Sequence, residues 1–305
     1  MWPILLFLVL LCSCSPRSES PGSSVPAATL AQGTVTDALG RNYTQAASPR
    51  RIVSLVPAIT EILFAIGAGE RVVGVTQYCD YPAEARTRTS VGGFSGATMS
   101  LEQIRVLRPD LVFLSADMHS RIVSLLNELG LPSFAVEPRN FSQVCSVIEL
   151  VGELTGCGPG ASRVIEEMKR KIAGVEERIS GRAPPGVFWV LSEDPLMTAG
   201  QNTFVSEAIN LAGGRNIFGE LGEQWPMVSQ EQILLRKPDW ILLGNDMSGT
   251  GTAAGRILLK SPFWQNIPAY REGRLAFVDA DILYRYGPRL ADAVDLLAEI
   301  FHPGL

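Results

Sequence analysis

Few residue types in this chain could do chemistry. Its two histidines, His119 and His302, lie far apart on unrelated elements, so no histidine cluster is offered to zinc or manganese. His119, beside Met118, reads as an exposed residue at a helix start, with axial ligation of a haem or cobalt as the alternative. Of the five cysteines, none shows C-x-x-C spacing, which argues against a zinc or redox motif. Cys79, Cys145 and Cys157 read as buried free thiols, a Cys145–Cys157 disulfide being the other option in an oxidising compartment. Neither G-x-S-x-G, H-E-x-x-H nor a Walker A motif is present, and the glycines of GAGER fit a helix stop. What does recur is an acid. Glu102 in SLEQIRVLRPDLVFL (100–114) has its counterpart in Glu231 of SQEQILLRKPDWILL (229–243). Each stands at the second helical position after a Ser, where the helix dipole favours a carboxylate by about 0.3–1 kcal/mol with no partner at all.

The elements that place these two acids are alike. In both copies a Ser is followed three residues later by Gln before an apolar-periodic run, the capping-box signature. A Pro-Asp pair ends the helix, and a short apolar run then fits a strand buried on both faces of a parallel sheet. A second echo pairs TEILFAIGAGERVVG (60–74) with SEAINLAGGRNIFG (206–219), each read as a capped helix with a Gly-rich stop. Internal duplication of this kind predicts two similar α/β lobes. Around these units we expect a hairpin over 35–44, strands near 51–55 and 72–76, and a helix from Pro57 with Ile59, Ile62, Leu63 and Ile66 inward. A helix over 118–129 is expected to bury Ile122, Leu125, Leu126 and Leu129. A strand at 133–136 and a helix over 141–154 with Val144, Val147, Ile148 and Val151 inward follow. The longest uninterrupted helical pattern, 161–180, could reach roughly 30 Å and join the lobes as a rigid rod. The strand VFWVL (187–191) opens the second lobe, and a helix over about 288–301 closes it. The expected organisation is an N-terminal lobe over 35–157, a connecting helix over 158–183 and a C-terminal lobe over 184–305.

Length and composition agree. The 305 residues, 46% hydrophobic and 19% charged, suffice for two domains with their own cores. A net charge of −5 gives no support to nucleic-acid binding. The apolar run over 2–11 is too short for a bilayer span but right for a signal-peptide core. Leu11-Cys12-Ser13-Cys14 resembles a bacterial lipobox, with residues 1–13 removed and Cys14 lipidated. Cys12 fits less well because Leu11 precedes it, and no Lys or Arg precedes the apolar core. Residues 14–34 then form a lipidated cysteine and flexible tether, leaving the protein outside the cytoplasm and held to a membrane by acyl chains. An uncleaved anchor is the competing reading.

The order of fragments from Val35 to the C-terminus resembles a known family: the periplasmic substrate-binding proteins of ABC importers for cobalamin, haem and ferric siderophores. The carriers are VTDALGR, RIVSLVPAITEILFAIGAGERVVGVTQYCDYP, the repeated EQI…PD units, and GGRNIF with WPMVS. Within the family the chain looks most like the cobalamin branch. The resemblance implies an α/β fold of two Rossmann-like lobes on a single long backbone helix, the class III binding-protein fold, with ligand in the cleft between them. It implies cleft-facing roles for Tyr78, Tyr81 and Phe94 in the first lobe and for Trp225, Asp281 and Arg285 in the second. Read as residues alone, Tyr78 and Tyr81 could close a loop, Phe94 could be core, and Trp225 could cover the following helix. Asp281 and Arg285 could be a solvated i,i+4 ion pair. The cobalamin binders carry Trp where this chain has Phe94 and an acid where it has Tyr284. By the same resemblance, Glu102 and Glu231 dock onto arginines of a dimeric permease, one lobe to each subunit.

The function implied is therefore that of a monomeric lipoprotein, without catalytic residues, resident metal or cofactor, that delivers a corrinoid to an ABC importer. A haem or ferric-siderophore carrier of the same family is the alternative. A chelatase-type enzyme would need the His/Glu acid–base or metal set that this sequence lacks, and a surface adhesin would leave the paired glutamates without a role.

Overall fold

The computed structural model describes residues 34–44, 47–95, 97–244 and 262–304. The signal peptide, Cys14 and the tether lie outside them. The chain opens with an antiparallel hairpin of β1 (Thr34–Thr36) and β2 (Asn42–Thr44). Five short strands then form the first parallel sheet: β3 (Ile52–Ser54), β4 (Val72–Val75), β5 (Thr89–Ser90), β6 (Leu111–Ser115) and β7 (Ser133–Val136). Their spatial order is β5-β4-β3-β6-β7. The second parallel sheet has the order β11-β8-β12-β13, from β8 (Gly186–Val190), β11 (Arg215–Asn216), β12 (Trp240–Gly244) and β13 (Leu275–Val278). Between them, β9 (Ser192–Glu193) and β10 (Leu196–Met197) make a small hairpin. Strands β4-β3-β6-β7 of the first sheet thus repeat the order β11-β8-β12-β13 of the second, with β5 added at the edge.

The helices form where the local signals place them. In α1 (Pro57–Ala65) a proline sits at the first position, where its missing N–H costs nothing. Ile59, Ile62, Leu63 and Ile66 are buried along its inner face. The next helices are α2 (Leu101–Val106), α3 (Ala116–Glu128) and α4 (Phe141–Thr155), capped by the side chains of Ser100, Ser115 and Asn140 respectively. The α4 helix stops at Gly156, whose φ of 68° is the left-handed conformation of a helix C-cap. One expectation fails on α3. It begins at Ala116, two residues before the predicted start, with Ser115 as its cap, and the face toward the core carries His119, Ile122, Val123 and Leu126. Leu125 and Leu129 are exposed instead.

The connecting rod is α5 (Gly158–Ile179), 22 residues and so about 33 Å long. It packs on α4 on one side and on the C-terminal helix on the other, where Lys171 pairs with Asp292 and Arg178 with Asp295. The second lobe adds α6 (Phe204–Leu211), α7 (Gln230–Arg236), α8 (Pro268–Arg271), α9 (Ala280–Tyr284) and α10 (Leu290–Phe301). Cys79, Cys145 and Cys157 are free, and the Arg71 guanidinium donates to Cys157 Sγ at 2.7 Å.

The repeated unit is built alike in both lobes. Ser100 and Ser229 accept the Gln103 and Gln232 amides, and the second copy closes the full capping box. Arg108 (φ 45°) and Lys237 (φ 46°), at matching positions, turn the chain through the left-handed region. The following aspartates then clamp the first strand of each sheet. Asp110 accepts the Arg50 and Arg51 amides at 2.7 and 2.9 Å, and Asp239 accepts the Gly186 amide at 2.7 Å.

Candidate functional site

In an open parallel sheet, ligands bind outside the carboxyl ends of the strands. The predicted residues sit there in both lobes: Tyr78 and Tyr81 follow β4, Trp225 follows β11, and Asp281 and Arg285 follow β13. Contacts between these loops show that the two carboxyl edges face one another.

The densest contact is an ion-pair network crossing from lobe to lobe. Glu61 on α1, 3% exposed, receives Arg289 in bidentate fashion, Nε to Oε2 at 2.9 Å and an Nη2 to Oε1 at 2.6 Å. Arg285 reaches Glu61 at 3.4 Å and donates to Asp80 at 2.6 Å and to Asp281 at 2.6 Å. The Arg289 guanidinium also lies over the Tyr81 ring, 4.1 Å from its centroid, a cation–π contact. Asp281 and Arg285 therefore form the i,i+4 pair expected from sequence, but within an interlobe lattice rather than as a solvated pair. Burial pushes the Asp80 carboxyl up, yet the Arg285 hydrogen bond and charge more than offset it and leave it below the ordinary value. Burial dominates at Asp281 and holds it above its ordinary value despite Arg285.

Two aromatic groups flank the network. In the first lobe Tyr78 meets Phe94 edge to face at 5.7 Å, and Phe94 meets the His119 ring at 6.1 Å. Tyr81 is exposed and Phe94 half-buried. In the second lobe Tyr284 stands between two tryptophans, 5.7 Å from Trp225 and 5.9 Å from Trp189, each edge to face. Its hydroxyl accepts the Trp189 indole N–H at 3.2 Å, and burial pushes its pKa up to about 12. The group stays a neutral phenol at physiological pH, with its own O–H available to donate.

His119 departs from expectation. It is fully buried, not exposed at a helix start: in the first turn of α3 it lies on the face that carries Ile122, Val123 and Leu126 into the core. Its Nδ1 accepts the Ser115 amide at 3.0 Å, so Nε2 carries the proton and donates to the Phe94 carbonyl at 3.0 Å. With both nitrogens engaged, the ring offers no lone pair to a metal. It ties the Phe94 loop to the sheet. Among the described residues no group of three or more His, Cys, Asp or Glu side chains could hold a metal ion.

Glu102 and Glu231 are both exposed, on α2 and α7, away from these contacts. One turn further along each helix, at matching positions, Val106 and Leu235 are 71% and 80% exposed. The Glu231 carboxyl is held below its ordinary value by its own amide N–H and the Ser229 hydroxyl.

Sequence reasoning missed Glu61, Asp80, Arg289, Glu207, Trp189 and Tyr284 as parts of the site. A signal for the first existed in the second echo, since Thr60-Glu61 aligns with Ser206-Glu207. Both hydroxyls lie inside their helices, which begin at Pro57 and Phe204. Thr60 donates to Ser54 Oγ at 2.9 Å, and Ser206 Oγ accepts from Asn216 at 3.1 Å. The next residue, Glu, points to the other lobe in both cases. Glu207 Oε2 accepts the Phe141 amide at 2.8 Å, across the lobes.

Comparison with known proteins agrees with this geometry. The chain is 30% identical over 309 residues to an uncharacterized ABC transporter substrate-binding lipoprotein, YvrC of Bacillus subtilis, covering 98% of this chain and 95% of the relative. Its fold is similar to that of the periplasmic vitamin B12 binding protein BtuF of Vibrio cholerae, with a TM-score of 0.70 and 27% identity over 83% of this chain and 96% of that one. A periplasmic heme binding protein from Pseudomonas aeruginosa is similar with a TM-score of 0.75 and 26% identity over 84% and 94%. The family model of the periplasmic binding proteins matches residues 52–282. With two parallel α/β lobes on one long helix and a candidate site between their facing edges, the chain belongs to the periplasmic binding protein family.

Proposed function

We propose that this protein captures a corrinoid between its lobes and delivers it to an ABC importer. The observation that carries the reading is the pairing of two aromatic walls, Tyr78–Phe94 and Trp225–Tyr284, around neutral and charged hydrogen-bonding groups. A corrinoid is a wide flat ring with amide side chains on an apolar rim. Aromatic faces cover such a ring, while Asp281, Arg285 and the protonated Tyr284 hydroxyl hold amides. His119 is committed to backbone partners on both nitrogens, which favours a ligand that needs no histidine on its metal. The similarity to a vitamin B12 binding protein supports the same choice. The role is binding and delivery, not catalysis.

Glu102 and Glu231, one per lobe and both exposed, are the docking carboxylates for a two-fold permease dimer. Lipidation at Cys14 anchors the monomer outside the cytoplasm; no helix among the described residues is long and apolar enough to cross a membrane. The division into 35–157, 158–183 and 184–305 remains part of this reading.

Haem is the second reading, favoured by one observation: Tyr81 presents an exposed phenol beside the Arg289 guanidinium. Titration of the soluble portion with cobalamin, cobinamide and haemin, followed by tryptophan fluorescence, separates the two. Saturable binding of the corrinoids is expected. Binding of haemin alone, lost in Tyr81→Phe, would replace the corrinoid reading with haem.

A further inference from the structure

The two interlobe glutamates point to a device that neither the fold nor the ligand class requires. Glu61 stands on α1, which follows the first strand of the first sheet. Glu207 stands on α6, which follows the first strand of the second sheet and its small hairpin. The sequence echo aligns them, and each reaches into the opposite lobe. Glu61 takes the C-terminal lobe's Arg289 and Arg285. Glu207 takes the N–H of Phe141, the first residue of α4. A carboxylate at that position satisfies a free helix amide and meets the positive end of the helix dipole, so one lobe caps a helix of the other.

The contacts are tightly fitted. A Cβ at Gly287 would stand 3.2 Å from Glu61 Oε2, so the backbone before Arg289 closes onto the carboxylate because no side chain intervenes. A third approach lies nearby, where the half-buried Tyr286 comes close to Ser115 of the first lobe. Glu61 also decides where two proposed ligand residues sit. It holds Arg285 within reach of Asp80 and Asp281, and it holds Arg289 under the Tyr81 ring. Removing its charge would leave the Arg289 guanidinium with Asp279, 4.0 Å away, as its nearest carboxylate, and free it to turn from the Tyr81 ring, while Arg285 would keep Asp80 and Asp281 but lose its tie to α1.

We propose that Glu61 and Glu207 are positioning residues forming one reciprocal clasp, which sets the width of the cleft and the placement of Tyr81 and Arg285 before any ligand arrives. The connecting helix fixes the lobes at their back, and the clasp fixes them at the cleft. The ligand part of this inference rests on the corrinoid reading; the clasp itself does not.

The test uses hydrogen exchange at the Phe141 amide in the ligand-free protein, together with cobinamide and cobalamin affinity. In Glu61→Gln, exchange at Phe141 should accelerate although its acceptor, Glu207, is untouched, because opening one half of the clasp frees the other. Corrinoid affinity should fall about tenfold, as the binding-competent arrangement becomes a minor population. Asp80→Asn weakens the half-exposed arm to Arg285 and a long surface pair with Arg86 but leaves Glu61 paired, so it should move both readouts in the same direction by less, in a protein that folds normally. Should Glu61→Gln destabilise the fold, the Asp80→Asn pair of readouts decides alone. Wild-type exchange at Phe141 in both variants overturns the clasp, whatever happens to affinity. Accelerated exchange in a protein that binds no corrinoid even as wild type would keep the clasp and overturn the ligand reading.

Discussion

The two lobes share their backbone-holding residues and differ in what they show each other. Ser100 and Ser229 cap, Arg108 and Lys237 turn through the left-handed region, and Asp110 and Asp239 clamp the first strand. At the facing edges the likeness ends. The first lobe offers a carboxylate pair, Glu61 and Asp80, with Tyr78, Tyr81 and Phe94. The second answers with Arg285 and Arg289 and with the edge-to-face cluster of Trp189, Tyr284 and Trp225. The outward glutamates stay equivalent, whereas the inward ones have taken different partners, guanidinium for Glu61 and a backbone amide for Glu207. Duplication thus preserved whatever serves the lobe itself, and complementarity across the cleft reshaped the rest.

The largest expected effect tests the equivalence of the outer surfaces. Replacing both Glu102 and Glu231 with Gln should leave fold and ligand affinity nearly unchanged, yet, on the proposed docking role, lower uptake into vesicles carrying the permease at least roughly tenfold, since an arginine buried against either carboxylate would lose its partner. Single variants should be intermediate and alike. A lobe whose variant transports normally would be the one that does not dock.

Ligand walls are expected to be unequal. Trp225→Ala should weaken corrinoid binding by about 1–3 kcal/mol and Phe94→Ala by about 0.5–1.5 kcal/mol, because the indole presents the larger face. Isothermal titration calorimetry measures both. A drop in thermal stability with unaltered affinity would make either residue a packing group.

The strand clamps differ by one hydrogen bond. Asp110→Ala, losing two backbone amides, should cost about 2 kcal/mol in urea denaturation, and Asp239→Ala, losing one, about 1 kcal/mol. Equal costs would show that the second amide at Asp110 is already served by water.

The smallest effect is a pH slope confined to the first lobe. Burial lowers the His119 pKa from its ordinary 6.5, against the opposing hydrogen bond to Phe94. The unfolded chain therefore binds this proton more readily than the folded one, and stability should decline as pH falls below about 6.5, levelling off beneath the depressed value. His119→Gln should remove that part of the slope. An unaltered slope would place its origin elsewhere.

Much of this protein follows from local sequence. Capping serines, a proline at the first turn of α1, glycine stops and period-3.6 apolar faces act within one or two turns, so most helix spans, the hairpin over 34–44 and the duplicated unit were legible without coordinates. Burial of Val144, Val147, Ile148 and Val151 was legible too. Fold class followed from the same signals taken twice. Tertiary structure decided the rest. His119 reads as exposed from its place at a helix start, but α3 begins at Ala116 and its packing against the sheet puts His119 on the inward face with Ile122, Val123 and Leu126. Thr60 and Ser206 open the second echo, and both lie inside their helices with their hydroxyls bonded to Ser54 and Asn216. Asp281 and Arg285 have helical spacing, which predicts their mutual pairing; nothing in that spacing names Glu61 or Asp80, more than 200 positions away. Such partners depend on how the two sheets meet, and that is set by packing across the rod, where one core cluster takes in residues of both lobes, rather than by any local pattern.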